Sequence, residues 1–244
     1  MRVLALDTTT RAGSAALVDG DRIVDERAGD AARSHGERLP GELIELLATN
    51  RVAAADVDLF AIASGPGSFT GLRIGIATIQ GLAFVTRRRV VGVPALDALA
   101  QLASRDAGPG GIVAAWMDAH RREVFAALYR VSSAALFEPA RLIPLDPPSV
   151  GDPASILARW HGDRLEPIVF AGDGAVMYAD AIAGTYPSAR ILPPPLLAGA
   201  VGRVAAIRAA NGEAVDPAGI QPLYVRRPDA ELARERSGQS PDAA

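Results

Sequence analysis

A polar turn follows the first apolar stretch of the chain, and its residue types could hold a phosphate. Residues 3–6 are apolar and lead directly into Asp7, Thr8, Thr9 and Thr10. Backbone N–H groups of such a turn can point at an anion, and an aspartate can hold Mg²⁺ through water. Asp and Thr are also ordinary turn residues. The pattern therefore leaves two interpretations open, a phosphate site or a plain structural turn.

A glycine-rich stretch joins a predicted strand at 58–63 to a predicted helix at 70–85. Residues 65–75 read GPGSFTGLRIG, and such a turn can present N–H groups to an anion at a helix N-terminus. Alternatively, Ser68 or Thr70 simply caps the helix. The stretch lacks the lysine of a P-loop and the Gly-x-Ser-x-Gly spacing of a hydrolase elbow. Its small residues share one helix face and would let the core or a partner helix approach closely.

Several kinds of catalytic chemistry are missing from the chain. It has no cysteine and no lysine, which excludes thiolate catalysis, cysteine-ligated zinc and a Schiff base. The histidines His35, His120 and His161 are far apart in sequence, and none has a second histidine at metal-ligand spacing. A metal site needs three or four converging ligands, so the sequence predicts no metal centre.

Composition predicts a folded protein of one large domain or two small ones. The 244 residues are 49% hydrophobic with a net charge of −3, and the mean hydropathy is +0.17. No apolar run approaches the roughly 20 residues of a membrane span, and Asp7 comes too early for a secretory signal. Aromatic residues are sparse at 5%. We therefore interpret the arginine clusters at 87–89, 121–122 and 226–227 as solvated side chains rather than an RNA-binding module.

The order of predicted elements indicates an α/β fold with two parts. Three antiparallel strands fill the first 27 residues, because Asp19-Gly20 lies between two apolar runs. The helix that follows has an ambiguous start: Ser34 and Glu37 have capping-box spacing, whereas Pro40 favours a later start. Residues 131–153 are proline-rich and predicted to be irregular, with one short strand near 141–143. Glycine and proline at 107–111 mark a boundary, which gives subdomains at 1–106 and 107–225 and a flexible tail at 226–244. A last helix at about 196–210 could pack back on the first subdomain.

Three stretches of the chain resemble the bacterial TsaB (YeaZ) family. They are LALDTT at 4–9, SHGERLP at 34–40 and GPGSFTGLRIG at 65–75, and shorter matches extend the resemblance over nearly the whole chain. The resemblance implies an actin-like ATPase fold (ASKHA, RNase H-like) of two similar subdomains. It also implies a non-catalytic, cytoplasmic role in making N6-threonylcarbamoyladenosine at position 37 of tRNAs that read ANN codons. The implied partners are a TsaD-like transferase, a TsaE-like ATPase and, through the complex, tRNA, with a homodimer when the transferase is absent and no membrane contact.

The resemblance also directs attention to two groups of residues, neither of them catalytic. A residual site for ATP or ADP with Mg²⁺ would use Asp7, Thr8, Thr9 and Asp118, although no cofactor is required. The partner interface is predicted on helices 37–48 and 70–85. Its expected residues are Leu39, Leu43, Leu46, Leu47, Gly71, Ile74, Gly75, Thr78 and Ile79. The alternative function is a metal- or ATP-dependent enzyme, either a glycoprotease-like peptidase or a carbamoyl- or phosphoryl-transferring ATPase that uses Asp7 and Asp118.

Overall fold

The first sheet is built from the N-terminal meander and two parallel strands. The computed structural model describes residues 1–162 and 168–226. The strands of this sheet are β1 (Arg2–Asp7), β2 (Ser14–Asp19), β3 (Arg22–Ala28), β4 (Leu59–Gly65) and β5 (Arg89–Pro94), in the order β3-β2-β1-β4-β5. Strand β1 is antiparallel to β2 and parallel to β4. Strand β1 therefore lies in the middle of the sheet, and its carboxyl end carries Asp7.

The second sheet repeats the topology of the first. Its strands are β6 (Ile112–Asp118), β7 (Val124–Val131), β8 (Leu142–Gly151), β9 (Ile168–Ala171) and β10 (Arg190–Leu192), in the order β10-β9-β6-β7-β8. Strand β6 is antiparallel to β7 and parallel to β9, as β1 is to β2 and β4. The predicted fold of two similar α/β subdomains is confirmed. Strand β6 is the counterpart of β1, and Asp118 ends it as Asp7 ends β1.

Helices cover both outer faces and fill the space between the sheets. They are α1 (His35–Thr49), α2 (Phe69–Thr86), α3 (Ala95–Ala107), α4 (Pro153–Gly162), α5 (Asp173–Met177), α6 (Ala179–Thr185) and α7 (Ala198–Ala210). Helices α1 and α2 share a core with the outer face of the first sheet, and α4 and α6 with that of the second. Helix α3 packs mainly on the second sheet and α7 on the first. Both contribute to one core that joins the two subdomains.

The start of α7 is fixed by side chains from the first sheet. The Ser14 hydroxyl accepts from the backbone N–H groups of Leu197 and Ala198 at 3.2 and 3.0 Å, and the Glu26 carboxylate accepts from Gly199 N–H at 2.7 Å. These bonds satisfy donors that a helix start otherwise leaves free. Helix α7, predicted at about 196–210, is therefore held on the first subdomain.

Strand β8 corrects the prediction of an irregular segment at 131–153. It has ten residues and includes Pro144, Pro147 and Pro148, which argue against a strand in sequence because proline cannot donate to a ladder. The strand lies at the edge of the second sheet, where unpaired N–H positions tolerate proline. The short strand predicted near 141–143 overlaps the start of β8, whereas the three-residue strand β10, at the opposite edge, was not predicted. Apart from Arg226, the tail predicted at 226–244 lies outside the described residues.

Helix α2 qualifies the prediction that no segment could span a membrane. Its 18 residues have a mean hydropathy of 1.3, so the helix is long and apolar enough to cross a membrane by length and composition alone. One third of these residues are buried inside the protein. Its inner face, with Leu72, Ile76 and Ile79, is buried. Core helices commonly pass the same test, and α2 packs against β4.

Candidate functional site

A cleft of about 860 Å³ lies between the two subdomains, where the turn after β1 faces the turn after β6. The first subdomain contributes Thr9, Thr10, Arg11, His35 and the loop at 66–70. The second contributes Met117, Asp118, Ala119, His120, Arg121, Phe125 and Asp173, and the chain segment 223–226 completes the lining. In sequence these groups are far apart, and the repeated sheet topology brings them together.

The turn after β1 places its four polar residues in different environments. Asp7 is buried beneath the cleft, where its Oδ1 accepts the backbone N–H of Thr9 at 2.9 Å and the Thr9 hydroxyl at 2.6 Å. Burial raises the pKa of the Asp7 carboxyl, the Thr9 bonds oppose that shift, and the nearby Asp173 carboxylate adds to it. Thr9 and Thr10 line the cleft. The Asp7 carboxylate is therefore already engaged within the chain.

Thr8 points away from the cleft and packs on α2. Its side chain is fully buried, and its hydroxyl has no hydrogen-bond partner. A Cβ on Gly75 would lie 2.2 Å from Thr8 Oγ1, and a Cβ on Gly71 would lie 2.2 Å from the Thr8 carbonyl oxygen. The two glycines therefore permit close packing inside the chain. Their prediction as partner contacts is corrected, because Thr8 occupies the space above them.

The turn after β6 holds Asp118 at the cleft without any glycine. His120, Arg121 and Arg122 all have positive φ, at 58°, 56° and 64°, a region that costs non-glycine residues roughly 1–2 kcal/mol each. The Asp118 carboxylate accepts the His120 backbone N–H at 2.8 Å. The backbone N–H of Asp118 donates to Asp173 Oδ1 at 3.0 Å. These bonds brace the turn against its backbone strain.

The two turns fit a nucleotide only in part. Of the four residues predicted to hold ATP or ADP, Thr9 and Asp118 line the cleft, whereas Asp7 lies beneath it and Thr8 faces α2. The second turn lacks a glycine that would let a phosphate approach its backbone closely. The predicted set of four is therefore not assembled as one binding surface.

His35 and His120 both line the cleft, whereas His161 is not part of its lining. His35 begins α1 and is nine-tenths buried, and burial lowers its pKa. The His120 side chain is 80% exposed beside Asp118, and His161 packs edge-on against Tyr186. Among residues 1–162 and 168–226, no group of three or more His, Asp or Glu side chains converges as metal ligands would.

Arg38 is a buried residue whose role the sequence analysis did not identify, although it lies in the SHGERLP stretch. Arg38 is only 2% exposed. Its guanidinium donates to the Ala12 carbonyl oxygen and, at 2.5 Å, to the Glu42 carboxylate. It lies so close over Gly29 that a Cβ there would be inside the guanidinium group. Arg38 thus holds the turn after β1 to α1 and positions one wall of the cleft.

Most residues predicted for the partner interface lie in the core. Leu39, Leu43, Leu46, Leu47 and Ile79 are at most 8% exposed and pack with the first sheet. Periodicity correctly found an apolar face, but that face is covered by the protein itself. Ile74 and Thr78 are half-buried at its margin.

A different face of α2 is apolar and exposed. Ala77, Gly81, Phe84 and Val85 lie on the solvent side at i, i+4, i+7 and i+8, one helical stripe. Phe84 is 78% exposed and Val85 is 81% exposed, and Ile44 on the neighbouring α1 is 69% exposed. We call Ala77, Gly81, Phe84 and Val85 the outer stripe of α2. It is an apolar surface on one of the two predicted helices that is open to a partner.

The repeated sheets and the cleft between them define an actin-like ATPase fold. A polyphosphate/ATP-glucomannokinase from Arthrobacter superimposes on the chain with a TM-score of 0.50 at 15% identity, covering 86% of this chain and 99% of that one. That likeness concerns the fold alone. The chain is therefore a two-subdomain protein of the actin-like class.

Closer relatives specify the family. The model of the family "TsaD: tRNA N6-adenosine threonylcarbamoyltransferase" matches residues 28–234. YeaZ from Pseudomonas aeruginosa is 32% identical, with a TM-score of 0.73 over 91% of this chain and 99% of that one. The tRNA threonylcarbamoyladenosine biosynthesis protein TsaB of Escherichia coli is 39% identical over 130 residues, which span 53% of this chain and 55% of that protein. The chain belongs to the TsaB (YeaZ) family, as the three sequence stretches predicted.

Proposed function

We propose that the chain is a non-catalytic subunit that binds a TsaD-like threonylcarbamoyltransferase and supports formation of N6-threonylcarbamoyladenosine at position 37 of tRNAs that read ANN codons. The family and the name of the Escherichia coli relative support the pathway. The observation that carries the binding role is the outer stripe of α2, an exposed apolar helix face in the subdomain with the most specific family sequence.

The outer stripe has the properties of a helix-packing surface. Fully burying a Phe or Val side chain contributes about 1.5–3 kcal/mol, and Phe84 and Val85 are adjacent and both largely exposed. Nothing lies within 4 Å of a Cβ built at Gly81, so a partner helix could approach the backbone closely there. The same surface on a second copy would serve for a homodimer when the transferase is absent.

Catalysis belongs to the partner in this proposal. The chain requires no cofactor, it contacts tRNA and a TsaE-like ATPase through the assembled complex, and it works in the cytoplasm. The engaged Asp7 carboxylate and the divided set of predicted nucleotide ligands support this assignment. ATP hydrolysis by the isolated chain that Asp7→Ala abolished would contradict it.

Co-purification with the transferase of the same organism tests the binding role. Val85→Arg places a charge on the outer stripe and should weaken the complex at least tenfold, with the circular dichroism of the free chain unchanged. Val176→Arg is the matched control, because Val176 is 50% exposed on α5 of the second subdomain. If Val85→Arg binds as tightly as the control, the proposed surface is wrong.

A further inference from the structure

The last described residues of the chain connect the two subdomains beside the cleft. At the first subdomain, Leu223 N–H donates to the Ser64 carbonyl oxygen at 2.7 Å. The Tyr224 ring packs on Phe69 with centroids 5.3 Å apart, and its hydroxyl accepts from Arg73 Nε at 3.2 Å. This end is thus fixed to the end of β4 and to the first turns of α2.

The other end of the same segment is held by the second subdomain. Arg226 Nη1 donates to the Ala119 carbonyl oxygen at 2.8 Å, and Nη2 forms an ion pair with Glu123. The guanidinium also lies 5.7 Å from the centre of the Phe125 ring. Ala119 and Glu123 are paired at the base of the turn after β6, where Ala119 N–H donates to Glu123 O at 3.0 Å. Arg226 therefore binds the base of the turn after β6, the turn in which His120, Arg121 and Arg122 have positive φ.

We propose that residues 222–226 form a strap that sets the width of the cleft, and that Arg226 is its releasable end. Leu223, Tyr224, Val225 and Arg226 all line the cleft, and only two residues lie between Leu223, which contacts Ser64, and Arg226, which contacts Ala119. Moving the turn after β6 away from the loop at 66–69 would stretch this short connection. Opening of the cleft therefore requires one end of the strap to detach.

The chemistry of the two ends determines which of them detaches. At the Leu223 end, a backbone hydrogen bond and ring packing respond little to salt, and the Arg73 guanidinium donates to a neutral hydroxyl rather than to a carboxylate. The Arg226 end is charge-assisted, and the side chains of Arg226 and Glu123 are 23% and 38% exposed. Salt screens partly exposed ion pairs. The strap thus makes cleft opening dependent on ionic strength and on anything that competes for the guanidinium group.

Spin-label distances test the strap in the full-length chain. The native sequence has no cysteine, so labels at Ala48→Cys on α1 and Ala183→Cys on α6 report the separation of the subdomains without further changes. Arg226→Gln should lengthen and broaden the distance distribution. The control is Arg130→Gln, which replaces an exposed arginine of the second subdomain that is distant in sequence from the strap. This variant should leave the distance distribution unchanged. In the native chain, high salt should move the distribution toward that of Arg226→Gln.

Hydrogen exchange gives a second reading from the opposite end. If the strap acts as one unit, Arg226→Gln should speed exchange of the Leu223 amide about tenfold, which corresponds to about 1.4 kcal/mol. Leu223→Pro, which removes the donor to Ser64, should widen the distances as Arg226→Gln does. Unchanged distances in both variants, with native circular dichroism, overturn the proposal. So does a widened distribution in Arg130→Gln.

Discussion

Replacing Gly75 by alanine tests whether the glycine face of α2 belongs to the core. The added Cβ would lie 2.2, 2.9 and 3.1 Å from Thr8 Oγ1, Cγ2 and Cβ. Favourable contacts between carbon atoms begin near 3.5 Å. Rotation of the Thr8 side chain cannot relieve the overlap, because Cβ itself is too close and both branches lie nearby. Either α2 or the turn after β1 must shift.

The expected cost follows from the balance of two effects. Overpacking a well-filled core costs about 1–3 kcal/mol, whereas alanine in place of glycine gains up to about 1 kcal/mol of helix propensity. We expect Gly75→Ala to lower the free energy of unfolding by about 1–2 kcal/mol net, because the Thr8 Cβ is fixed by the backbone and is itself only 3.1 Å away. For a chain of this length that corresponds to a fall in Tm of about 2–4 °C per kcal/mol.

Gly81→Ala is the matched control on the same helix. No atom lies within 4 Å of its Cβ position, so only the propensity gain applies, and Tm should rise by an amount equivalent to about 0.5–1 kcal/mol. Thr8→Ala combined with Gly75→Ala should recover much of the loss, since it removes the two nearest atoms. Urea denaturation followed by far-UV circular dichroism measures all four proteins. The reasoning is refuted if Gly75→Ala is as stable as Gly81→Ala, or if the double variant gains nothing over Gly75→Ala.

Two further variants test the turn after β1. Burial raises the pKa of Asp7 above its usual value of 3.8, so the folded state favours the protonated acid. The free energy of unfolding therefore falls as the pH rises from 3.8 through the raised pKa. Asp7→Asn keeps an acceptor for Thr9 and should be at least as stable as the native chain at pH 7, and the difference in stability should disappear below pH 4. Urea titrations at several pH values measure this. A large loss of stability at pH 7 would contradict the argument. Arg38→Ala removes the buried guanidinium that donates to Glu42 Oε2 and to the Ala12 carbonyl oxygen, and it should cost on the order of 3 kcal/mol. The exposed Arg33→Ala should stay within about 0.5 kcal/mol of the native value, and equal Tm values for the two arginine variants would show that Arg38 holds nothing in place.

Local signals in the sequence were sufficient for most of the elements. The helix start that Ser34, Glu37 and Pro40 left ambiguous falls at His35, because Ser34 N–H donates to the Glu37 carboxylate at 2.9 Å. Proline within the second turn of α1 is tolerated there. Only the start of the edge strand β8 was predicted, as the short strand near 141–143, because its prolines are acceptable only where no neighbouring strand needs their N–H groups.

The sequence by itself determined the family and the α/β class, because both depend on residue identity and local spacing. Only the tertiary structure decided which side of α2 is covered. That helix is apolar on both sides, with Ile76 and Ile79 inward and Phe84 and Val85 outward, so a period of 3.6 residues cannot distinguish core from surface. The strap from Leu223 to Arg226 likewise depends on contacts with residues more than 100 positions earlier. Such contacts form only after both sheets are folded and packed.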